Sequence, residues 1–546
     1  PRTFAEAEKL MQVSMDAPQR EMASEAWGRS MAAMLERRAG PRTLAIGPEV
    51  SPAHVWNPVL PGVTVPDLTE QFIRADHDAG PLPDSDEDIA YAPVSRLSRW
   101  IESRQLTSER LTQIYLDRID RFDGQLGCVI TLLREEGLAA ARQADAEIAA
   151  GKYRGSLHGI PWGAKDLIDT AGIPTTYGAE PFRDRVPDTD AAIISRLTAA
   201  GAILIAKLSL GALALNDIWF GGETVNPWLP EEGASGSSAG PGAATTAALV
   251  GFSIGSETGG SIISPAMRCG VAGLRPTFGR VPRSGSMTLC WSFDKLGPMT
   301  RSAEDAMLVL EAISGFDAGD ASSVPATLDY DAGASVQGLK VGYFPAWMNE
   351  APATGVDRAA LDELRELGLD PVEVSLPDWP FQSLWLLVFA EAAAAFEDLT
   401  LSGAAETMKV QRPDAWPNLF REARFLSAVD FVQADRMRRM ACLEMARIFS
   451  EVDLLLVPSL RDEMLALGNA CGHPSLTIRT GFVEVSKARS DWAPGPDIPT
   501  PDFTPPRRVP HGVTLVGRLF DEGTLGRVGL ALERATGAWE ERPEGF

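Results

Sequence analysis

A short apolar run that leads into a glycine turn and a serine is the feature that most constrains this chain. Residues 252–254 read Phe-Ser-Ile and predict a buried strand, and Gly259 and Gly260 then precede Ser261. Glycine lets the backbone turn tightly and approach a ligand closely. Successive N–H groups of such a turn can hold an anion beside the serine hydroxyl. The segment therefore fits a nucleophile next to an oxyanion hole, although a plain Gly-Gly-Ser surface loop has the same composition.

A second serine-rich loop lies upstream, where residues 235–240 read Ser-Gly-Ser-Ser-Ala-Gly. An alanine-rich segment at 243–250 follows and predicts a helix, so the serines could simply cap it. The loop also fits the G-x-S-x-G pattern of a nucleophile elbow, with Ser238 as the nucleophile. That elbow follows a strand, whereas residues 226–232 predict a loop, which disfavours the elbow.

Lys165 lies in an apolar setting, since residues 160–164 read Ile-Pro-Trp-Gly-Ala. Lysine is seldom buried without a purpose, and burial lowers its pKa so that it can be neutral and accept a proton. The alternative is a surface lysine at a strand end, paired with Asp166 or Asp169.

Taken together, these three elements resemble the amidase signature family, in its non-amidotransferase branch. Further segments that match lie at residues 157–161, 269–281, 296–302 and 511–518, so the resemblance runs from about residue 90 to the C-terminus. It implies a Ser–Ser–Lys triad of Ser261 as nucleophile, Ser237 as relay and Lys165 as base. It also implies a cis peptide bond at Ser237.

The resemblance implies further roles around the triad. The backbone N–H groups that hold the oxyanion are expected at Thr258, Gly259 and Gly260, together with Ser261 itself. Substrate contacts are expected at Gly236, Ser238 and Ile263. No cofactor and no metal ion is implied, and the histidines are scattered without a metal-ligand pattern.

Two positions depart from the family pattern beside the nucleophile. Many members have an arginine two residues after it and an aspartate four residues before it, where this chain has Ile263 and Glu257. We therefore expect the ion pair that would brace the nucleophile loop to be absent. The loss of a charge at Ile263 predicts a neutral, bulky, aromatic amide as substrate, which fits aromatic residues in the predicted lid: Trp379, Trp385, Phe389 and Trp416.

The predicted fold class is α/β, with a large twisted mixed β-sheet covered by helices on both faces. Residues 1–90 predict a helical and proline-rich extension that wraps the core or mediates a homodimer. Residues 91–546 predict the catalytic domain, with a helical, lid-like insertion at about 376–450. Residues 490–510 are rich in proline and predict a surface loop.

The net charge and the apolar stretches of the chain limit the classes of molecule that it can bind. The formal net charge of -24 argues against nucleic acid and anionic membranes. The longest apolar stretch, at 384–396, is interrupted by Glu391 and is too short to span a bilayer. We therefore expect a small-molecule amide as the only partner besides a second copy. A cytoplasmic location is expected, or export after removal of a leader that preceded Pro1.

The predicted activity is hydrolysis of a C–N amide bond other than a peptide bond, through an acyl-enzyme on Ser261. An esterase or carbamate hydrolase with the same triad is an alternative. A glutamine-hydrolysing amidotransferase subunit is another, which Ile263 and the N-terminal extension disfavour. A non-catalytic binding protein on the same scaffold is a third alternative, against which the filled triad argues.

Overall fold

The structure is a computed structural model that describes residues 1–11, 14–39, 47, 50, 56–62, 65–66, 68–76, 78–493, 495 and 498–546. Within these residues the chain alternates strands and helices, as an α/β protein does. The α-helices, in chain order, are α1 (Arg2–Met11), α2 (Ala17–Ala39), α3 (Asp86–Tyr91), α4 (Val94–Glu102), α5 (Ser108–Leu126), α6 (Arg134–Ala149), α7 (Ala192–Ala199), α8 (Ala239–Thr246), α9 (Ile263–Cys269), α10 (Ala303–Ile313), α11 (Gly355–Glu366), α12 (Trp385–Ala395), α13 (Glu397–Leu401), α14 (Trp416–Ala423), α15 (Ala428–Phe449), α16 (Asp462–Ala470) and α17 (Glu522–Thr536).

The strands form one large sheet and three small ones. In chain order they are β1 (Gln71–Ile73), β2 (Val129–Leu132), β3 (Pro161–Lys165), β4 (Ile203–Leu208), β5 (Ile218–Trp219), β6 (Gly222–Glu223), β7 (Val225–Asn226), β8 (Leu229–Gly233), β9 (Phe252–Glu257), β10 (Ala272–Arg275), β11 (Lys295–Thr300), β12 (Asp329–Asp331), β13 (Lys340–Tyr343), β14 (Asp370–Glu373), β15 (Leu454–Pro458), β16 (Ser475–Lys487) and β17 (Asp502–Gly517). The large sheet has 11 strands in the order β14-β13-β15-β17-β16-β10-β11-β9-β3-β4-β2. It is mixed, because β3 pairs in parallel with β4 and β9, whereas β9 and β11 are antiparallel.

Helices cover both faces of this sheet. A Cβ on Gly273 of β10 would lie 2.6 Å from the Cβ of Ala266, so α9 packs directly against that face. Leu274, the next residue, points to the other face. Its register partner in β16 is Leu476, and that side chain lies 2.5 Å from where a Cβ on Gly529 of α17 would be. The predicted α/β fold with a large mixed sheet between helices is confirmed.

The segment before residue 90 is in part attached to the core. Strand β1 pairs in parallel with β12, and Gln71 Nε2 donates to Asp329 Oδ1 over 2.7 Å. The N–H of Ala75 donates to Glu304 Oε1 over 2.8 Å at the start of α10. Residues 1–39 are largely helical, as predicted, in α1 and α2. Most of the proline-rich loop predicted at residues 40–66 lies outside the described residues.

Two predicted loops are partly strand. Residues 502–510 belong to β17, which pairs with β16 through Pro510 opposite Phe482. Pro505 and Pro506 fall where the register shifts, so the missing N–H groups leave the ladder intact. Residues 229–232 of the loop predicted at 226–232 belong to β8, which pairs with β7. In both places proline misled the prediction, because strand pairing tolerates it at bulges and at edges.

Candidate functional site

The candidate site lies at the carboxyl ends of two neighbouring parallel strands, β3 and β9. Lys165 is the last residue of β3, and the loop that follows β9 carries Ser261. A third segment, the loop between β8 and α8, carries Ser237 and Ser238. Crevices at the ends of parallel strands are where α/β proteins bind their ligands.

Lys165 is completely buried and surrounded by neutral oxygen atoms. Its Nζ lies 2.8 Å from Ser237 Oγ, 3.0 Å from Ser238 Oγ and 2.9 Å from Ser256 Oγ. Burial lowers the pKa of the Lys165 ammonium well below its ordinary value, and the charges of Glu257 and Asp294 oppose this shift only in part. A lysine whose ammonium has lost its proton can accept one from a neighbouring hydroxyl.

The alternative in which Lys165 is a surface lysine paired with an aspartate is wrong. Asp166 forms an ion pair with Lys207, whose Nζ is 3.3 Å from Asp166 Oδ1, and both side chains are fully buried. Asp169 is bound by Arg185 over 2.6 Å. Both acids therefore have other cations, and Lys165 keeps only neutral hydrogen-bonding partners.

The Ser238 hydroxyl is enclosed rather than available for attack. It is fully buried, donates to the carbonyl of Ser256 over 3.1 Å and accepts the N–H of Ser256 over 3.2 Å. It also accepts from Lys165. Although β8 precedes this loop, a serine with these partners does not present the exposed hydroxyl of a nucleophile elbow. The geometry therefore disfavours Ser238 as a nucleophile.

The loop around Ser237 is held by residues that the sequence did not indicate. The peptide bond between Gly236 and Ser237 is cis, and a Cβ on Gly236 would lie 1.7 Å from the carbonyl oxygen of Asn216, so only glycine fits. Asp491 Oδ2 accepts the Ser235 hydroxyl over 2.5 Å and the Gly236 N–H over 3.0 Å.

The carboxylate of Asp491 is itself held by a buried cation. Arg268, in α9, donates from Nη2 to Asp491 Oδ1 over 2.9 Å and is 3% exposed. Asp491 thus links the helix after the nucleophile to the loop that carries Ser237. Asp491 lies in the segment predicted to be a proline-rich loop, and no local pattern could have revealed this contact.

The turn that carries Ser261 has backbone N–H groups that make no hydrogen bond within the described residues. Gly260 has a φ of 121°, a conformation that side chains other than glycine rarely adopt. Within the described residues, the N–H groups of Gly259, Gly260 and Ser261 donate no hydrogen bond, and no hydrogen bond involves the Ser261 hydroxyl. The carbonyl of Ser261 accepts the N–H of Ser238 over 3.2 Å, which places the two serine loops in contact.

An ion pair does brace this turn, contrary to the prediction. Glu257 Oε2 accepts the N–H groups of Ile262 and Ile263, over 2.7 and 2.9 Å. Glu257 Oε1 is 2.7 Å from Arg275 Nη1, and both side chains are buried. Burial alone would raise the pKa of Glu257, but Arg275 and the two N–H groups hold it below its ordinary value. Arg275 of β10 therefore supplies the positive charge that an arginine at position 263 would have supplied.

A cavity of about 640 Å³ lies next to Lys165. Its wall includes Thr258 and also Ser256, whose hydroxyl is 2.9 Å from Lys165 Nζ. The Thr258 hydroxyl donates to Asp294 Oδ1 over 2.6 Å, so Thr258 contacts both the cavity and a buried carboxyl. Gly236, Ser238 and Ile263 do not line this cavity, and their predicted contact with substrate stays a prediction. The apolar part of its wall is formed by Leu167, Tyr177, Phe182, Met287, Trp291 and Phe396.

Part of the predicted lid reaches this cavity, through Phe396 and Leu399. Of the four aromatic residues predicted there, Trp385 packs on the oxyanion turn, since a Cβ on Gly259 would lie 2.8 Å from its ring. Trp416 is buried and donates to the carbonyl of Leu213 over 2.9 Å, so it belongs to the core. Trp379, Phe389 and these two residues are absent from the cavity wall.

The two arginines of this cavity wall are already paired with acids. Arg185 binds Asp169, and Arg283 Nε lies 3.2 Å from Asp320 Oδ2. Lys295 is buried, and burial, with Arg275 nearby, lowers its pKa to about 7. The cavity therefore offers no unpaired guanidinium for an anionic group.

The described residues contain neither a metal-ligand cluster nor a membrane-spanning helix. No group of three or more histidine, cysteine, aspartate or glutamate side chains there could hold a metal ion. No helix in that part of the chain is long and apolar enough to cross a membrane.

Comparison with known proteins relates the whole arrangement to one family. The family model described as Amidase matches residues 110–525. The amidase AmiD of Mycobacterium tuberculosis is 37% identical over 494 residues, which cover 86% of this chain and 99% of AmiD. A glutamyl-tRNA(Gln) amidotransferase subunit of Anaeromyxobacter dehalogenans is 32% identical over 475 residues, 81% of this chain and 96% of that protein. The crystal structure of peptide amidase from Stenotrophomonas maltophilia superposes with a TM-score of 0.70 at 29% identity and covers 84% of this chain and 99% of that one.

Proposed function

The chain belongs to the amidase family, and we propose that it hydrolyses the C–N bond of a neutral amide through an acyl-enzyme on Ser261. The proposal rests on one observation: the Lys165 side chain is buried and its Nζ lies 2.8 Å from Ser237 Oγ. Within the described part of the chain, Lys165 has no carboxylate partner and contacts Ser237, and the loop of Ser237 contacts the loop of Ser261. This arrangement fits a Ser–Ser–Lys relay.

The proton relay follows from the hydrogen bonds of the lysine. The Ser238 hydroxyl donates to Ser256 O, so towards Lys165 it can only accept. Among the described residues the Ser237 hydroxyl has no such second partner, so its proton is available to a neutral Lys165. As Ser261 Oγ attacks the carbonyl carbon, its proton passes to Ser237 while Ser237 gives its own to Lys165.

The oxyanion that forms in this step is stabilised by the backbone. The N–H groups of Gly259, Gly260 and Ser261 are unused in the described structure, and they lie on the same turn as the nucleophile. Such fixed donors act on charge that develops in the transition state. The relay then returns a proton to the leaving amine, and water, deprotonated by the same relay, releases the acid from Ser261.

The cavity wall supports a neutral substrate with an aromatic or other bulky apolar group. Its aromatic surface comes from Tyr177, Phe182, Trp291 and Phe396, and its arginines are paired. Pockets lined by aromatic side chains, with a few polar groups, favour apolar ligands. Esters and carbamates with the same apolar group are a second candidate class, because the same nucleophile, oxyanion hole and cavity would serve them.

A glutamine-hydrolysing role is the third candidate, supported by the 32% identity to the glutamyl-tRNA(Gln) amidotransferase protein. Glutamine carries a charged amino group and a carboxylate, and the paired arginines of this cavity offer the carboxylate no free cation. Lys295, whose pKa of about 7 leaves it partly neutral, is a weak substitute.

The experiment that tests the proposal is a comparison of kcat/KM across matched substrates. We expect arylalkyl amides, and peptide amides with an aromatic terminal residue, to exceed acetamide, malonamate and glutamine by at least tenfold. Phe396→Ala should reduce kcat/KM for the aryl amides and leave that for acetamide within about twofold. A tenfold preference for small polar amides would contradict the apolar cavity, and a preference for the matched esters alone would contradict amide hydrolysis.

A further inference from the structure

A second cavity, of about 440 Å³, lies at the far ends of the two helices that begin at the catalytic serine loops. Its wall includes Thr246, the last residue of α8, and Gly270 and Val271, which follow α9. These helices begin at Ala239 and Ile263, so the cavity is roughly 10 Å or more from the nucleophile turn, at 1.5 Å per helical residue. We call it the arginine cavity, after four residues of its wall: Arg96, Arg301, Arg479 and Arg542.

Arg479 is buried in this wall without an anionic partner. It is 5% exposed, and its Nη2 donates to the main-chain carbonyls of Trp539 and Glu541, over 2.6 and 2.8 Å. Its Nε is buried without a hydrogen bond, and its Nη1 makes none within the described residues. Burial lowers the pKa of Arg479 to about 10, which reflects how poorly its charge is compensated.

Arg301 also lacks an anionic partner among the described residues, although it is half-buried rather than buried. Its Nη1 donates to the carbonyls of Val250 and Thr245 over 2.8 and 3.5 Å, and its Nη2 donates to the carbonyl of Ala92 over 2.9 Å and to the Tyr115 hydroxyl over 3.1 Å. Its Nε is buried without a partner, as is the hydroxyl of Tyr91, which also lines the cavity. In the described part of the chain no carboxylate lies within 4 Å of the Arg301 or Arg479 guanidinium.

Within the described residues, none of the acids near the cavity is ion-paired with Arg301 or Arg479. Glu540 lines the cavity as an exposed side chain. Asp88 is bound by Arg542 over 2.8 Å at the exposed rim, and the carboxylate of Glu541 is bound by Arg508. Glu533 is buried, and burial raises its pKa to about 8, so that it is mostly protonated at neutral pH. A buried charge without a partner is costly, and an anion supplied from solution would remove that cost.

We propose that the arginine cavity binds a small organic carboxylate that carries an aromatic ring. Arg479 would hold the carboxylate through a charge-assisted hydrogen bond from Nη1, which has no partner within the described residues, and the charge of Arg301 would add to the attraction. The rings of Trp228 and Trp539 line the same cavity, and the Arg479 guanidinium already lies 4.9 Å from the Trp228 ring centre. The volume is larger than an inorganic oxyanion needs and is within the range of small-molecule sites. This site is separate from the proposed amide hydrolysis.

Calorimetric titration of the full chain with benzoate tests the proposal. Benzamide is the matched neutral ligand, and inorganic phosphate is the anion without a ring. We expect benzoate to bind with a Kd at least tenfold lower than that of either control. Arg301→Gln and Arg479→Gln should each raise the benzoate Kd by at least tenfold. Arg421→Gln removes an exposed arginine outside this cavity that is paired with Glu406, and it should change the Kd by less than about twofold.

A second variant keeps the test decisive if loss of a buried arginine prevents folding. Ala92→Leu places a larger apolar side chain in the cavity wall and removes no charge, so it should abolish benzoate binding while amide hydrolysis continues. Equal benzoate affinity in the parent, Ala92→Leu and the arginine variants would overturn the site. Phosphate binding as tight as benzoate binding would overturn the requirement for a ring, and absence of benzoate binding at millimolar concentration would overturn the proposal as a whole.

Discussion

Arg275 Nη1 lies 2.7 Å from Glu257 Oε1, and this buried ion pair fixes the turn that carries Ser261. The other carboxylate oxygen of Glu257 accepts the N–H groups of Ile262 and Ile263, the two residues that follow Ser261. One carboxylate thus ties the start of α9 to strand β10. A further bond comes from Asn469 Nδ2, 2.9 Å from Glu257 Oε1.

Breaking this pair should cost both stability and activity. In Arg275→Met the buried Glu257 carboxylate loses its cation, and we expect the free energy of unfolding to fall by about 3–5 kcal/mol. The turn should also lose its fixed position, so kcat should fall by more than KM rises. Denaturant unfolding and steady-state kinetics measure the two effects.

The control for the Arg275 variant is a pair at the surface. Asp120→Asn removes the exposed partner of Arg134 and should change the free energy of unfolding by only about 0–1 kcal/mol. If Arg275→Met were as stable and as active as Asp120→Asn, the turn would not depend on the Glu257–Arg275 pair.

Asp491 is expected to act as a positioning residue for Ser237. Its carboxylate holds the Ser235 hydroxyl and the Gly236 N–H, so Asp491→Asn should let that loop shift and lower kcat by roughly 10-fold to 100-fold. KM should change little, because Asp491 does not line the catalytic cavity. Asp502→Asn, an exposed acid at the start of β17, should match the parent enzyme.

A double variant sharpens this test. Arg268→Gln removes the cation that holds Asp491, so combining it with Asp491→Asn should add little to the loss from either change alone. Additive losses would show that Arg268 and Asp491 act separately and would contradict the proposed linkage.

The proposed catalytic residues could be named from the sequence because each lies in a local pattern. A glycine turn after an apolar run restricts the local backbone, and an apolar strand lowers the pKa of a lysine within it. The structure places Lys165, Ser237 and Ser261 on adjoining segments. The partner of Glu257 could not be predicted in this way. Arg275 reaches it because β10 and β9 both flank β11 in the sheet, a relation that depends on strand order and not on spacing in the sequence.

The wall of the catalytic-site cavity and the contacts that hold the Ser237 loop were even harder to predict from the sequence. Asp491 contacts Ser235 across 256 positions of sequence, from a segment whose prolines predicted only a loop. The aromatic wall of the cavity includes Tyr177 and Phe182, from the segment between β3 and α7, whereas the sequence pattern favours the aromatic residues of the helical insertion. Aromatic residues of helices pack in hydrophobic cores as readily as in lids. The presence of Trp416 in a predicted lid helix therefore could not predict the substrate.

The pH dependence of catalysis should report the buried lysine. Neutral Lys165 is the active form, so kcat/KM should increase with pH and reach its plateau as the ammonium loses its proton. Because burial lowers this pKa, the midpoint should lie below 10.5, the ordinary value for lysine. Lys165→Met should lose about 10²–10⁴-fold in kcat at every pH, since the general base is gone.

Two controls accompany the pH profile. Lys152→Met removes an exposed lysine and should leave both profile and rate unchanged. Chelators should not affect turnover. Complete inhibition by EDTA that a divalent metal reverses, or a kcat/KM that decreases as pH rises from neutral, would contradict the lysine mechanism.

The covalent intermediate on Ser261 is the central claim, and the most direct measurement is peptide mapping by mass spectrometry after reaction with a fluorophosphonate. We expect one adduct per chain, on Ser261, with no adduct in Ser261→Ala and strongly slowed labelling in Lys165→Met. An adduct on Ser238 or Ser237, with Ser261 unmodified, would contradict this claim.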